Sequence, residues 1–346
     1  MPRASVLTRF LVASATLLGL GALVAVPQAQ SSASSLSYYV AVLNTSTYRV
    51  TKVPVGDQQA AAIAITPKGK YAYVAVGSDV SVISTATNKV VKSVPVGMVP
   101  TGLAITPKGK YVYVDHLDGK VSVIDTHTNT VVDTITAGGP STSGPYFGGI
   151  AVTPNGSYVY VTVGSDEVSV ISTATNKVVK SVPVGMDPVG LAITPSGNDA
   201  YVINLSSDNV SIIDTASNTV VATVPVTGST YPAGIAITPN GSYAYVTPYG
   251  EQKNEGLVTV IDTSTEAVVA TVTVETNAFG YCLPAITPNG QFAYVTTADS
   301  VVVINTATNQ VIQTVPFTSL SGLAEPFNLA ITPNGRYAYI AMTNTP

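Results

Sequence analysis

The segment Thr106-Pro107-Lys108-Gly109-Lys110-Tyr111-Val112-Tyr113-Val114 reads as a turn followed by a strand, and its pattern recurs through the chain. Thr-Pro-x-Gly followed by a strand close to Tyr-x-Tyr-Val occurs seven times, starting at Thr66, Thr106, Thr153, Thr194, Thr238, Thr287 and Thr332. The spacings are 40, 47, 41, 44, 49 and 45 residues. A period of this size is typical of arrays of small β units. Seven such units are enough to close into a ring.

The composition favours β-structure throughout. The chain has 346 residues, of which 46% are hydrophobic and 10% are charged, and Val, Thr, Ile and Tyr are abundant. These residue types favour strands over helices. A chain of this length often forms two domains, but a closed array of repeats forms one. We therefore predict a single all-β domain over residues 36–346.

Each repeat contains four short strand patterns, and proline indicates their order. A proline in a central strand removes a hydrogen bond of the ladder, so it belongs at an exposed edge. The first strand instead alternates small and large apolar residues, as in Gly190-Leu191-Ala192-Ile193, which suits a crowded position near an axis. This arrangement predicts a seven-bladed β-propeller of four-stranded antiparallel blades. The fourth-strand prolines are Pro54, Pro95, Pro183, Pro225 and Pro316.

The two ends of the repeat array are complementary. Residues 40–55 contain only third- and fourth-strand patterns, and residues 329–342 contain only first- and second-strand patterns. We predict that these half-units pair and form the seventh blade. Such pairing removes the open sheet edges that promote aggregation.

The repeat resembles a known family. Ile-Thr-Pro-x-Gly-x-Tyr-x-Tyr-Val, then Val-Ile-Asp-Thr-x-Thr-Asn, then Val-Pro-Val-Gly is similar to the YVTN β-propeller repeat, with Tyr160-Val161-Thr162 as the nearest literal match. That family includes YncE-like periplasmic proteins and surface-layer proteins. The resemblance covers residues 38–346 and implies a seven-bladed propeller outside the cytoplasm. It implies no particular reaction, because propellers support many functions.

The N-terminus has the pattern of a secretory signal peptide. Arg3 and Arg9 flank an apolar run over residues 10–26, and small and polar residues follow. We predict a signal peptide over residues 1–33, with its cleavage position open, and a secreted, periplasmic or cell-surface protein. The alternative is an uncleaved membrane anchor, for which the apolar run is short. The single cysteine, Cys282, excludes an internal disulfide.

The connections between strands differ in how far they vary. Those joining strands one to two and three to four hardly change in length. All large insertions fall in the connections between strands two and three and between blades, namely 137–147, 227–231, 247–257, 275–283 and 318–327. Functional residues concentrate on loops held by a rigid scaffold. We therefore expect the binding surface where these variable loops gather; neutral drift in exposed loops is the alternative.

Charge differs between the two sets of connections. The variable loops contain 13 acidic residues against Lys120 and Lys253, whereas Lys68, Lys70, Lys108, Lys110 and Arg336 belong to the constant turns. An acidic surface repels phosphate and attracts cations. Nucleic acid requires a basic stripe. Nucleic acid is therefore an unfavourable partner for the variable loops; acids that only keep the protein soluble are an equal interpretation.

The candidate ligand-binding residues are the chemically distinctive side chains of these loops. Exposed aromatic residues near an axis line ligand pockets in other proteins, although here each ring could also cap a gap between blades. The candidates are Met98, Asp115, His116, Asp118, Tyr146, Phe147, Met186, Asp187, Tyr231, Phe279, Tyr281, Glu325 and Phe327.

Two residues have a chemistry that needs separate consideration. His116 lies between Asp115 and Asp118 and could bind a metal or transfer protons, but we favour a solvated histidine. His127 is predicted on the other face, so a site with two histidines is excluded. Cys282 could be a nucleophile if a base lay beside it, but we favour an inert, buried thiol. No haem, Walker, Gly-x-Ser-x-Gly or His-Glu-x-x-His motif occurs.

These observations predict a secreted or periplasmic binding or interaction module that recognises its ligand at the acidic, aromatic variable loops. One alternative is an enzyme of the lactonase or lyase type with a metal held by carboxylates. Another is a structural component of a surface layer. An enzyme of that type generally has several converging histidine or carboxylate ligands. Only carboxylates could converge here, so we expect no enzymatic activity.

The expected partners follow from the same residues. We expect a monomer that recognises a small molecule, a cationic ligand or a protein. We expect neither nucleic acid binding nor stable membrane insertion once the signal peptide is removed. No catalytic residue, metal site or cofactor is assigned, and Ca²⁺ or another divalent cation is kept as an alternative.

Overall fold

The computed structural model describes residues 38–140, 148–164, 166–226, 231–250, 256–274, 280–281, 283–317 and 324–344. Over these ranges the chain forms 29 strands, most of them in seven antiparallel four-stranded sheets. The predicted signal peptide, residues 1–33, lies outside the described residues. The described part contains no helix with the length and hydropathy of a membrane crossing.

The first four blades follow one another along the chain, each with its strands in sequence order. Blade 1 consists of β3 (Ala60–Ile65), β4 (Tyr71–Val76), β5 (Asp79–Ser84) and β6 (Lys89–Pro95). Blade 2 consists of β7 (Pro100–Ile105), β8 (Tyr111–His116), β9 (Lys120–Asp125) and β10 (Thr130–Thr136). Blade 3 consists of β11 (Ile150–Val152), β12 (Tyr158–Val163), β13 (Glu167–Ser172) and β14 (Lys177–Pro183). Blade 4 consists of β15 (Pro188–Ile193), β16 (Asp199–Asn204), β17 (Asn209–Asp214) and β18 (Thr219–Pro225).

The last three blades include one added strand and one mixed blade. Blade 5 consists of β19 (Pro232–Ile237), β20 (Tyr243–Gly250), β21 (Gly256–Asp262) and β22 (Ala267–Val274), and β23 (Gly280–Tyr281) pairs with the end of β20. Blade 6 consists of β24 (Pro284–Ile286), β25 (Phe292–Thr296), β26 (Ser300–Asn305) and β27 (Gln310–Pro316). Blade 7 consists of β28 (Ala324–Ile331), β29 (Tyr337–Asn344), β1 (Tyr38–Asn44) and β2 (Val50–Gly56).

The ring closes by pairing the two ends of the repeat array. Strand β1 pairs antiparallel with β29, with Val40 opposite Ala341 and Val42 opposite Tyr339. Two strands of blade 7 therefore come from each end, as the half-units predicted. The all-β, seven-bladed fold is confirmed.

The order of strands within each blade also follows the sequence pattern. The first strands pack against one another around a central channel, and the fourth strands, with their prolines, form the outer edges. In all seven blades a register shift interrupts the pairing of the third and fourth strands. Bulges and prolines both weaken an edge as a template for pairing with another molecule.

The Thr-Pro-x-Gly motif builds the same turn in every blade. In blade 2, Gly109 donates its amide to the Thr106 carbonyl at 2.7 Å, and its φ of +71° lies in the left-handed region that glycine favours. The Thr106 hydroxyl accepts the amide of Tyr111 at 3.0 Å. The equivalent threonine bond occurs in all seven blades. This double use of threonine explains why the turn has a constant length.

The second tyrosine of Tyr-x-Tyr joins each blade to the next. The Tyr113 hydroxyl donates to Asn176 Oδ1 at 2.8 Å, and Asn176 lies in the turn between the third and fourth strands of the next blade. Tyr73 bonds Asn129 in the same way at 2.6 Å. Burial raises the pKa of Tyr113 to about 12, so its hydroxyl stays a donor at neutral pH.

The asparagine in this contact has two functions. Asn176 adopts φ +52°, a left-handed conformation that asparagine tolerates better than most residues. In blade 5 Glu266 replaces it, and Tyr201 donates to the Thr263 carbonyl at 3.5 Å instead. The contact between blades is therefore kept, but with a longer bond.

Replacing these tyrosines by phenylalanine tests the strength of the contact. We expect Tyr113→Phe to lower the free energy of unfolding by about 1 kcal/mol, because it removes a short bond between blades. Tyr201→Phe should have less than half this effect, because its bond is longer. Urea unfolding followed by circular dichroism measures both values, and equal losses would contradict this account.

Candidate functional site

The propeller presents two different faces. The constant-turn face is formed by the turns between strands one and two and between strands three and four. The variable-loop face is formed by the connections between strands two and three and between successive blades. The longest connection between two successive strands joins β10 to β11. Residues 141–147 of this connection lie outside the described part. The predicted division into constant and variable connections is confirmed.

A hydrogen-bonded cluster on the variable-loop face surrounds the loop 205–208 of blade 4. Ser206 donates its hydroxyl to Asp187, and the Ser207 hydroxyl accepts the amide of Met186 at 2.8 Å. Asp208 Oδ1 accepts the amide of Tyr231 at 2.9 Å. One loop thus fixes the connection that enters blade 4 and Tyr231, the last residue of the connection that leaves it.

This arrangement brings together three predicted site residues. Met186 is 54% exposed and Tyr231 is 41% exposed, while the polar groups beneath them are hydrogen-bonded to the scaffold. Asp187 and Tyr231 both adopt left-handed backbone conformations, with φ of +52° and +62°. Strained backbone held by surrounding bonds often occurs at functional sites. The sequence analysis did not predict the role of the loop 205–208 that organises these residues. The loop has four residues, whereas the equivalent loops of blades 1 and 2 have two and three, and this difference in length could have indicated it.

The prediction that His116 is solvated is wrong. The residue ends β8 and is 4% exposed. Its Nδ1 lies 2.8 Å from the Met98 carbonyl, and its Nε2 lies 2.8 Å from Ser122 Oγ. Burial lowers the pKa of His116, so the ring is neutral, with Nδ1 donating and Nε2 accepting. Nδ1 thus holds the connection that carries Met98, whose side chain is exposed, while Nε2 bonds Ser122 in β9.

Asp115 is also buried, contrary to its predicted place on an acidic loop. It pairs with Gly102 across β7 and β8 and is 4% exposed. Thr101 donates its hydroxyl to Asp115 Oδ2 at 3.1 Å. Burial raises the pKa of Asp115 to about 8, although bonds from Thr101 and from the His116 amide oppose this shift. Asp115 is therefore a neutral carboxylic acid at pH 7.

The central channel is narrow and is lined by backbone and mostly apolar side chains. Residues of all seven first strands, or of the connections directly before them, line a cavity of about 160 Å³ toward the variable-loop face, and its lining contains two polar side chains, Thr101 and Asn328. Ligand pockets usually measure about 300–1,000 Å³. Because this cavity is smaller, it suits a few waters better than a sugar-sized molecule. Glycines let the strands approach: a Cβ on Gly102 would lie 2.5 Å from the Gly148 carbonyl oxygen.

The remaining predicted site residues have different positions. Phe327 is 2% exposed in β28, where it fills the interior of the propeller, so it does not belong to an exposed surface. Glu325 lies two residues earlier in β28. Asp118 lies in the connection between β8 and β9 and forms an ion pair with Lys120. Tyr146, Phe147, Phe279 and Cys282 lie outside the described residues, as does the side chain of Tyr281.

Many of the acids on the variable-loop face have local partners. Asp79 accepts the hydroxyl of Ser93 at 2.7 Å, and Glu167 accepts that of Ser181 at 2.6 Å. Asp166 accepts the amide of Asp187 at 2.9 Å. Within the described ranges, no group of three or more His, Cys, Asp or Glu residues is close enough to hold a metal ion. These contacts favour a structural role for these acids.

Comparison with known proteins identifies the family. The lactonase, 7-bladed beta-propeller family matches residues 84–221 and 191–345. Because these matches cover most of the chain, the protein belongs to the lactonase seven-bladed β-propeller family. No curated protein sequence matches the chain.

A solved structure has the same fold. A chain of hydrazine synthase from Kuenenia stuttgartiensis aligns with a TM-score of 0.71 and 23% identity, over 83% of this chain and 96% of that chain. This likeness supports the propeller architecture alone.

Replacing Asp115 tests the buried carboxyl. The folded protein keeps this proton up to about pH 8, whereas the unfolded chain releases it near the ordinary pKa of 3.8. Between these values the folded state binds the extra proton, so stability falls as the pH rises. Asp115→Asn removes this dependence. As the pH rises between these two values, the free energy of unfolding of the variant should increase relative to that of the parent by at most about 1.4 kcal/mol per pH unit.

Urea unfolding at pH 4, 6 and 8 measures the difference between the two proteins. Asp118→Asn is the control, because Asp118 is partly exposed and paired with Lys120. Its difference from the parent should be small and constant over this pH range. Parallel stability curves for the parent and Asp115→Asn would contradict a protonated Asp115.

Proposed function

We propose that this protein is an exported binding module whose ligand contacts the variable-loop face around blade 4. The observation that carries the proposal is the pair Met186 and Tyr231, exposed on loops that Ser207 and Asp208 hold by hydrogen bonds. Rigid loops lose little conformational entropy on binding, which favours affinity. Methionine and tyrosine together offer a large, adaptable apolar contact.

The chemistry of this surface indicates the class of ligand. Asp166, Asp187 and Asp208 surround the exposed side chains, and Asp187 and Asp208 accept bonds from the loops themselves. The surface therefore combines apolar contact with negative potential, which favours a neutral or cationic small molecule or a basic protein segment. Within the lactonase propeller family, we place the chain with the YVTN-type repeats, on the basis of its Thr-Pro-x-Gly and Tyr-x-Tyr-Val motifs.

Native mass spectrometry of the protein purified from its own host tests this proposal. We expect an additional mass on the parent that is absent from the double variant Met186→Ser, Tyr231→Ser, because the variant loses the apolar contact. Tyr158→Ser is the matched control, since Tyr158 is 39% exposed on the constant-turn side of blade 3 and should retain the mass. Retention of the mass by the double variant would contradict the proposed surface.

A lactone hydrolase is the second candidate, and the family match favours it. Its site would lie at the central channel, where Thr101 and Asn328 are the polar side chains of the lining and the protonated Asp115 lies behind Thr101. The Thr101 hydroxyl donates to Asp115 Oδ2 in this structure, so it would have to rotate to donate to a developing oxyanion, with the protonated Asp115 then donating to the Thr101 oxygen. The small cavity admits only part of a lactone, so the ring would have to enter from the variable-loop face.

An assay of the hydrolysis of sugar lactones and acyl-homoserine lactones tests the second candidate. Proton release from the acid product measures the rate. If the channel is catalytic, Thr101→Val and Asn328→Ala should each lower kcat/KM by about tenfold or more, because each removes a polar contact to the reacting group. Asp118→Asn should leave the rate unchanged. Turnover that neither channel variant affects would exclude this site, and absence of turnover for all lactones would contradict the candidate.

A further inference from the structure

Positive charge is concentrated on one arc of the constant-turn face, opposite the surface proposed above. The seven Thr-Pro-x-Gly-x turns contain five Lys or Arg residues and no Asp or Glu. All five belong to the neighbouring blades 7, 1 and 2: Arg336, Lys68, Lys70, Lys108 and Lys110. The same face of blades 4 and 5 has acids instead, among them Asp199 and Asp262. The face is therefore divided into a basic arc and an acidic arc.

The basic arc is a continuous surface. Neighbouring turns touch through their glycine and proline residues: a Cβ on Gly109 would lie 3.3 Å from Pro67, and one on Gly69 would lie 3.3 Å from Pro333. A cleft of about 470 Å³ between blades 1 and 2 is lined by Lys68, Lys70 and Lys108. Lys68 also borders the cleft of about 380 Å³ between blades 7 and 1. The cations thus repeat along a row, one turn per blade.

Several groups on the arc are held in place. Thr66 Oγ1 accepts the amides of Lys70 and Tyr71 at 3.1 and 3.0 Å, which fixes the turn that carries two of the lysines. Lys70 Nζ lies 5.1 Å from the centre of the Tyr71 ring, and Lys110 Nζ lies 4.7 Å from that of Tyr111. Each ammonium group is therefore pre-positioned by a cation–π contact.

The acid that interacts with this row, Asp125, is also bonded within its own turn. Asp125 begins the turn between β9 and β10, and its Oδ1 accepts the amides of His127 and Thr128 at 2.8 and 3.2 Å. Tyr111 raises the pKa of Lys110 most, and the charge of Asp125 raises it further. The five turn residues of each of these blades include no acid, so the row remains a site for negative charge.

We propose that this basic arc binds a linear acidic polysaccharide, with successive carboxylates on the lysines of successive blades. A row of separated point charges matches a polymer with regularly repeated anions better than a single compact anion. Single-stranded nucleic acid also repeats its charge, but its binding depends on stacking of bases on aromatic rings. Here the lysines cover the rings of Tyr71 and Tyr111. Among the described tyrosines beside these three turns, Tyr337 alone has an exposed ring, so the arc offers a row of charges but no row of stacking surfaces.

Binding of alginate oligosaccharides to the purified protein at low and moderate salt tests the proposal. The variant Lys68→Gln, Lys70→Gln, Lys108→Gln, Lys110→Gln should lose affinity by about tenfold or more, and added salt should weaken the parent. The matched control neutralises four lysines outside the turns of the arc, Lys92, Lys120, Lys177 and Lys180, and so changes the net charge equally. It should bind within about twofold of the parent.

Several results would overturn the proposal. Failure of the parent to bind alginate, or equal losses in the two quadruple variants, would show that the arc is not a specific site. Tighter binding of oligothymidylate than of alginate at equal charge concentration would identify nucleic acid as the partner. Self-association that is lost only in the variant of the arc, without alginate binding, would identify the acidic arc of a second copy. Dextran, which is uncharged, should not bind.

Discussion

The propeller depends on hydrogen bonds by which the second tyrosine of each Tyr-x-Tyr pair bridges two blades. Tyr113 and its equivalents are buried between sheets, and each hydroxyl reaches the turn of the following blade. In five of the seven contacts the acceptor is an asparagine whose left-handed backbone makes that turn, so the same residue shapes one blade and fixes its neighbour. Tyr201 and Tyr294 bond a threonine carbonyl of the same turn instead. Because Tyr339 bonds Asn88, this contact also crosses from blade 7 to blade 1. The ring is therefore held by the same contact at its closure as elsewhere.

This constraint has opposite consequences for the two faces. The turns of the constant-turn face take part in contacts between blades, and their threonine and tyrosine bonds leave no room for insertions. Their charges can change without cost to the scaffold, which allows the basic arc. The connections of the variable-loop face are outside these contacts and can differ in length. Their exposed residues are then positioned individually, as Asp208 positions Tyr231.

Family membership and site geometry point to different aspects of function. The lactonase propeller family establishes the scaffold, and the described residues bring no group of histidines and carboxylates together at the axis. The channel instead contains Thr101 and Asn328, next to the neutral Asp115. The proposal of recognition rests on the exposure of Met186 and Tyr231, and the alternative of lactone hydrolysis rests on the family and on the polar residues of the channel.

The sequence by itself determined the number of blades, the strand order and the closure of the ring. It could do so because turns, prolines and alternating side chains are local patterns, and seven copies repeat them. Only the tertiary structure decided which polar residues are buried. In the sequence, Asp115 and His116 stand at the end of a strand pattern, where an exposed loop is expected. In the structure, Asp115 contacts Thr101 and His116 contacts Met98, and both partners belong to other segments. Phe327 is buried and Tyr231 is exposed for the same reason: burial depends on neighbouring segments that a single repeat does not contain.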